Sequence, residues 1–362
     1  MLSSDITDTV NPFNPFKILH WSNYLELLTK GVIPAPLSAE IGLTNRCNHN
    51  CIFCTTSKDR SNVTLSIEQV KTLVQDLASV GTKSLVYCGR GEPLLHDSFK
   101  EILWYVKKEF GLSQGLVTNG SLLANGLIQD AVINCCKFVR ISLDSGPKTY
   151  KSIRRPNKDF DFDHICETIY ELRNNYRTEL TIGVSYLAQE SNLDDLYETC
   201  KKVRGAGASY IQIRPVIPVS ETIEPIHGDL LLKAVNICSQ LQHDFENEYF
   251  KVYGLIDRFG ILSKSKNASK CYSNPLVVIC DANGDILMPC GILYAHKYPE
   301  ERHRYTIGNF LTRPFREIWA SEEHKTLLSN LNLDECPNCR FKSYNTLIEG
   351  VFVKDNIHKD FI

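Results

Sequence analysis

Asn45-Arg46-Cys47-Asn48-His49-Asn50-Cys51-Ile52-Phe53-Cys54 decides the reading of this chain. It sets three cysteines at C-x3-C-x2-C spacing directly after the strand-like run Ala39-Glu40-Ile41-Gly42-Leu43. Three thiolates on one short loop can hold three irons of a cubane 4Fe–4S cluster and leave the fourth iron open to a substrate or cofactor, whereas a four-thiolate site normally only carries electrons. Zinc is a competing reading, but its sites usually pair C-x2-4-C knuckles, and the nearby His49 falls inside the loop. Inert core thiols are a third reading, since free cysteine behaves as a small hydrophobe. Three such residues on a polar loop at a strand end fit that poorly.

Outward from this loop, short apolar runs alternate with helix-period runs from about residue 39 to 216, at intervals typical of βα units. Strands are predicted over 38–44, 83–88, 113–118, 137–143, 180–186 and 209–214. Between the first two, Ile67, Val70, Leu73, Val74 and Leu77 fall on one face at helical spacing. Six successive units read as an α/β fold, a partial (β/α)6 TIM-like barrel of parallel strands. Ahead of it, Lys17 to Lys30 is amphipathic and ends at Gly31 and the Pro34-Ala35-Pro36 break, which predicts a helix packed on the barrel. After Pro215 and Pro218 the alternation stops, a helix is predicted around 229–244, and cysteines become frequent from 271. The expected division is an N-terminal helical extension over 1–38, the barrel over 39–250 and a small cysteine-rich domain over 251–362.

The chain has 362 residues, with 40 basic and 42 acidic side chains and no block of like charge, so no nucleic-acid partner and no membrane-surface patch is expected. Residues 1–38 lack the basic start and continuous apolar run of a signal peptide, and no apolar run reaches the roughly 18 residues of a membrane span. A cytoplasmic protein is therefore expected. Its 14 cysteines then belong to metal ligation, catalysis or packing rather than to disulfides.

The cysteine loop, with Phe53 between its second and third thiols, resembles that of the radical S-adenosylmethionine (SAM) superfamily. The resemblance implies that the open iron binds the amino and carboxylate groups of SAM and that reductive cleavage yields a 5′-deoxyadenosyl radical, with an electron donor such as flavodoxin or ferredoxin. Cys88-Gly89-Arg90-Gly91-Glu92-Pro93 looks like the family's G-G-E-P turn. It implies that Glu92 and the polar backbone contact the methionine amino group while Gly89 and Gly91 permit close approach. Arg90 stands where another glycine is frequent and is expected to face substrate. Val117-Thr118-Asn119-Gly120 and Ile141-Ser142-Leu143-Asp144 resemble segments that bond the ribose or methionine portion, which implicates Thr118, Asn119, Ser142 and Asp144. Helix capping is the alternative role for Asn119 and Asp144. Arg154 resembles the arginine that pairs with the SAM carboxylate, against a plain salt bridge there or at Arg155. Ser185 and Asn192 match polar positions around the fifth strand, and Phe53 is expected near adenine unless it is simply core.

Cys271, Cys290 and the pair in Cys336-Pro337-Asn338-Cys339 form a second set. Asn283-Gly284 between Leu276–Ile279 and Ile286–Met288 predicts a hairpin that brings Cys271 and Cys290 together. This layout resembles the twitch domain, a shortened relative of the SPASM extension. It implies an auxiliary 4Fe–4S cluster with full thiolate ligation, although structural zinc uses the same four ligands, and Cys280 can stand in for Cys271. Ile307-Gly308-Asn309-Phe310 and Phe315-Arg316-Glu317-Ile318-Trp319 read as a strand, turn and helix across the gap. Cys166, Cys200 and Cys238 fall on apolar helix faces and read as core. Cys88 and Cys280 are the candidate hydrogen donors to a substrate radical.

The expected activity is that of a radical SAM oxidoreductase that abstracts hydrogen from a C–H bond and dehydrogenates a small polar metabolite such as a sugar or aminocyclitol. Two alternatives stand beside it: epimerisation or other modification of a ribosomally synthesised peptide, and a non-catalytic zinc protein.

Overall fold

The computed structural model describes residues 11–56, 60–158, 160–174, 179–216, 226–254, 268–290, 299–333 and 341–354. Its centre is one ten-stranded sheet. The strands are β1 Ser38–Ile41, β2 Ser84–Tyr87, β3 Ser113–Thr118, β4 Cys136–Ser142, β5 Thr181–Ala188, β6 Tyr210–Pro215, β7 Lys251–Gly254, β8 Val277–Cys280, β9 Asp285–Leu287 and β10 Thr306–Asn309. Their order is β10-β9-β8-β1-β2-β3-β4-β5-β6-β7. Strands β1 to β7 pair in parallel in sequence order, as crossovers through helices require. The two edges, β7 and β10, do not pair with each other, so the barrel is partial.

The helices are legible in local chemistry. The first, α1 Ser22–Thr29, precedes β1 and follows a 3-10 turn at Pro15–Trp21. Helix α2, Ile67–Val80, starts in a capping box in which the Ser66 side chain accepts from the Gln69 amide and Gln69 answers the Ser66 amide, satisfying two amides that helix geometry leaves unpaired. It ends at Gly81, whose φ of 103° is the left-handed stop that glycine adopts without strain. Helices α3 Phe99–Glu109, α4 Gly126–Cys135, α5 Tyr150–Arg154, α6 Phe162–Asn174, α7 Leu196–Gly205 and α8 Gly228–Phe245 complete the ring. Alternate strand residues such as Ile182, Val184 and Tyr186 join Ile165, Ile169 and Val203 of the helices in one core. The intervening residues face the barrel interior.

The six predicted barrel strands are present within three residues of their expected ends. Strand β7 was not expected, and it extends the sheet past β6. The hairpin around Asn283-Gly284 forms with Gly284 at φ 87°. Its first strand, β8, adds in parallel to β1, so the cysteine-rich region continues the barrel sheet. Trp319 Nε1 donates to the Pro34 carbonyl at 2.8 Å, and Arg316 pairs with the buried Asp76 of α2. Among the described residues no helix is long and apolar enough to cross a membrane.

Candidate active site

The cysteine loop leaves the C-terminal end of β1, the end at which parallel barrels build their sites, and three neighbouring segments hold it. The Asn50 amide donates to Arg155 O at 2.9 Å and the Ile52 amide to Ile153 O at 3.0 Å, while Asn157 N donates to Asn48 O at 2.9 Å. Asn48 also exchanges side-chain bonds with Asn119 at 2.7 Å and Ser121 at 2.8 Å. Cys51, Phe53, Ile153 and Val216 form a small apolar group with Leu187 of β5 packed on it, so this mouth is shielded from water. Burial pushes the Cys51 thiol up to about 11, with Cys47 and Cys54 adding to the effect and Arg154 opposing it. It raises Cys47 as well. Such thiols stay protonated unless a cation replaces the lost hydration.

The loop fits an iron–sulfur cluster. All three donors are soft sulfurs, and neither ring nitrogen of His49, fully buried among them, has a hydrogen-bond partner. Among the described residues no group of three or more His, Cys, Asp or Glu side chains is drawn together to hold a metal ion. A cubane asks for something looser than a single ion does, because each thiolate binds a different iron.

The turn after β2 lies against this loop by virtue of its glycines. A Cβ on Gly91 would stand 2.2 Å from Arg46 O and 2.5 Å from Thr44 O, so no other residue fits there. Gly89 has a φ of 141°, and its Cβ would stand 2.9 Å from Gly42 Cα. Glu92, 2% exposed, receives Thr118 Oγ1 at 2.6 Å, the Asn119 amide at 2.8 Å and the Leu94 amide at 3.1 Å. Burial raises its carboxyl above the ordinary value even against these donors. Glu92 thus ties the turn to the end of β3, and a carboxylate with about four acceptor positions retains capacity for one more donor. Arg90 does not open toward the barrel; it is buried against Asp281, Nε to Oδ2 3.4 Å.

Asp144, Arg154, Ser185 and Asn192 come together as one buried group. Arg154 Nη1 donates to Asp144 Oδ2 at 2.9 Å, Ser185 Oγ to Oδ1 at 3.0 Å, and Asn192 Nδ2 to the Asp144 carbonyl at 3.1 Å. Asp144 adopts a φ of 55°, a left-handed conformation that aspartate tolerates better than most residues. The Arg154 guanidinium also lies over the Phe53 ring, 5.9 Å from its centroid. Ser142 ends β4 in register with Ser185 and is half-buried.

Cys88 follows β2 on the interior-facing alternation and is half-buried. Cys280 is fully buried within the helix-packed core, and burial raises its thiol strongly. That position removes it from the barrel interior, where a donor to a radical must stand. Farther along, Asn345 Nδ2 lies 3.8 Å from Cys271 Sγ, and Asn274 Nδ2 lies 3.9 Å from Cys290 Sγ. Each sulfur therefore has an amide donor of the kind that stabilises thiolate charge. Cys336 and Cys339 lie outside the described residues. The reading from sequence did not single out Asn48, Asn274 or Asn345; nothing in a lone asparagine distinguishes a loop brace from a solvent-facing turn.

Comparison with known proteins agrees with this geometry. A family model of the radical SAM superfamily matches residues 41–203, and one of the SPASM iron-sulfur cluster-binding domain matches 271–340. The probable GTP 3′,8-cyclase of Methanocaldococcus jannaschii is 30% identical over 216 residues, 56% of this chain and 69% of that protein. The antilisterial bacteriocin subtilosin biosynthesis protein AlbA of Bacillus subtilis is 26% identical over 294 residues, 80% of this chain and 60% of that protein. The chain spans between 25% and 69% of the lengths of these and one further curated relative. In fold it is similar to Streptococcus suis SuiB bound to the precursor peptide SuiA, with a TM-score of 0.63 at 16% identity over 91% of this chain and 74% of that one.

Proposed function

Because the chain belongs to the radical SAM superfamily and carries a SPASM iron-sulfur cluster-binding domain, we propose that it modifies a ribosomally synthesised peptide by abstracting hydrogen from a C–H bond, with net oxidation of the peptide. The observation that carries this reading is similarity to the subtilosin biosynthesis protein over 80% of this chain. The peptide reading takes the place of the sugar or aminocyclitol expected from the sequence.

In this reading Cys47, Cys51 and Cys54 hold the first cluster, and Cys271, Cys290, Cys336 and Cys339 hold the second. When bound, the first cluster with SAM supplies the hydrogen-abstracting 5′-deoxyadenosyl radical, and the second offers a route for the departing electron. The protein's own part is placement. Gly89 and Gly91 let backbone amides approach the methionine portion, and Glu92 keeps acceptor capacity for its amino group. Thr118, Asn119, Ser142 and Ser185 line the ribose side. Arg154, held in place by Asp144, offers a guanidinium to the carboxylate. Asn192 fixes the strained Asp144 backbone, and Phe53 with Leu187 and Val216 keeps water from the reacting carbon. Cys88 is the thiol best placed for the competing epimerase chemistry.

The test is anaerobic turnover of the reconstituted protein with peptides encoded beside its gene. The expected result is loss of two hydrogens from the peptide with one 5′-deoxyadenosine per event and no solvent deuterium at the reacting carbon. An unchanged mass formula with one deuterium incorporated, lost on Cys88→Ala, would replace oxidation by epimerisation.

A further inference from the structure

The inner wall of the barrel carries a half-buried arginine that the cofactor site does not use. Along β6, Ile211 and Ile213 lie in the helix-packed core, which leaves Tyr210, Gln212 and Arg214 on the opposite face. On β4 the same alternation buries Val139 and Ile141 and turns Arg140 inward. Leu187, in register with Arg214 on the neighbouring strand, packs on the apolar group that includes Cys51 and Phe53. This face is therefore the one turned to the cysteine loop.

Arg140 and Tyr210 are brought together by a missing side chain. Their strands flank β5 in register at Gly183, where a Cβ would stand 2.1 Å from the Tyr210 ring. Arg140 and Arg214 both act on the Tyr210 hydroxyl and on the Asp144 carboxyl, so the two guanidiniums share one small region. Arg214 Nη2 donates to Ser185 Oγ at 2.9 Å. Arg140 makes no hydrogen bond or ion pair among the described residues, and its Nε is buried without a partner. Gln212, 2% exposed and on the same inward face, keeps its Oε1 buried and unpartnered. A buried guanidinium N–H and a buried carbonyl left open are costly to a folded chain unless a ligand completes them.

We propose that Arg140, with Arg214 and Gln212, forms a subsite that reads an acidic side chain of the substrate. The guanidiniums take an anionic oxygen group, for which their planar donors are suited. The Gln212 carbonyl needs an N–H donor on the same face, which a peptide backbone beside a carboxylate provides and a phosphate does not. The inference rests on the peptide reading and narrows it to peptides with Asp or Glu at or next to the modified residue.

The probes are acetyl-Gly-Glu-Gly-amide, its Gln counterpart and inorganic pyrophosphate, titrated calorimetrically into the cluster-reconstituted full chain with saturating SAM. A charged hydrogen bond of ordinary strength predicts that the Glu peptide binds about tenfold tighter than the Gln peptide. In Arg140→Gln this preference should shrink to about twofold or less, and Arg140→Lys should retain part of it. The thermal midpoint and SAM affinity report whether each variant is folded. Equal binding of the two peptides to the unaltered protein, or a preference that survives Arg140→Gln, would overturn the proposal. So would a large loss of SAM affinity in Arg140→Gln, which would assign the arginine to the cofactor. Pyrophosphate binding that depends on Arg140 without any preference for the Glu peptide would contradict the acidic side chain as the source of the anion. Absence of SAM cleavage by the unaltered protein fails the superfamily chemistry instead, so the two failures are distinguishable.

Discussion

Gly91 and Asp144 carry the sharpest consequences at the scale of single residues. A methyl at Gly91 meets two backbone carbonyls of the cysteine loop, and backbone cannot rotate away as a side chain can. Gly91→Ala should cost about 3 kcal/mol or more and weaken SAM binding. Gly126→Ala, where a Cβ meets nothing within 4 Å, should leave both unchanged; thermal unfolding with SAM titration checks the pair. Asp144→Ala leaves the buried Arg154 cation without its carboxylate, a change that costs about 3–5 kcal/mol and should loosen SAM as well. Equal stability of Asp144→Ala and the unaltered protein would refute the ion pair as a structural element. Gly91 and Asp144 were legible in the sequence as motif positions. The role of Arg90 was not: sequence placed it against substrate, and the structure pairs it with Asp281 of a hairpin almost two hundred residues away. Local pattern carries no information about such a partner.

Among the elements, the helix at Glu322–Ser329 predicts a pH response. His324 on it is fully buried, its ring centroid 4.4 Å from that of Trp319, and its Nδ1 receives the Ala320 amide at 3.2 Å. Burial depresses its pKa from 6.5 to about 4. Above pH 6.5 folded and unfolded chains both hold it neutral, and its full contribution to stability is present. As pH falls from 6.5 toward 4 only the unfolded chain takes up the proton, so stability falls, by at most about 1.4 kcal/mol per pH unit. His324→Gln should flatten that part of the stability profile in denaturant titrations between pH 7 and 4.5, and an unaltered slope would exclude the histidine as its source. Strands and helices of the barrel were readable because their apolar periods run over four or more residues between turn signals. Strand β7 escaped because only Val252 of its four residues is buried, too short an alternation to register.

For the whole molecule, the sequence disclosed the hairpin around Asn283-Gly284 but not its place. Its addition to β1 joins the cysteine-rich region to the barrel in one sheet, and pairing between strands more than two hundred residues apart leaves no local trace. Such continuity predicts cooperative unfolding: Trp319→Ala, which removes the bond to Pro34 and a stacked ring beside Phe315, should lower one common transition by about 3–5 kcal/mol. Separate transitions for barrel and cysteine-rich region would oppose it. The central claim is that the C-x3-C-x2-C loop holds the cluster at which SAM is cleaved. Its most direct test is 5′-deoxyadenosine formation by the Cys47→Ala, Cys51→Ala, Cys54→Ala triple variant after anaerobic reconstitution and reduction. No 5′-deoxyadenosine, with about four irons per chain retained by the second cysteine set, is the predicted result; undiminished cleavage would contradict the account.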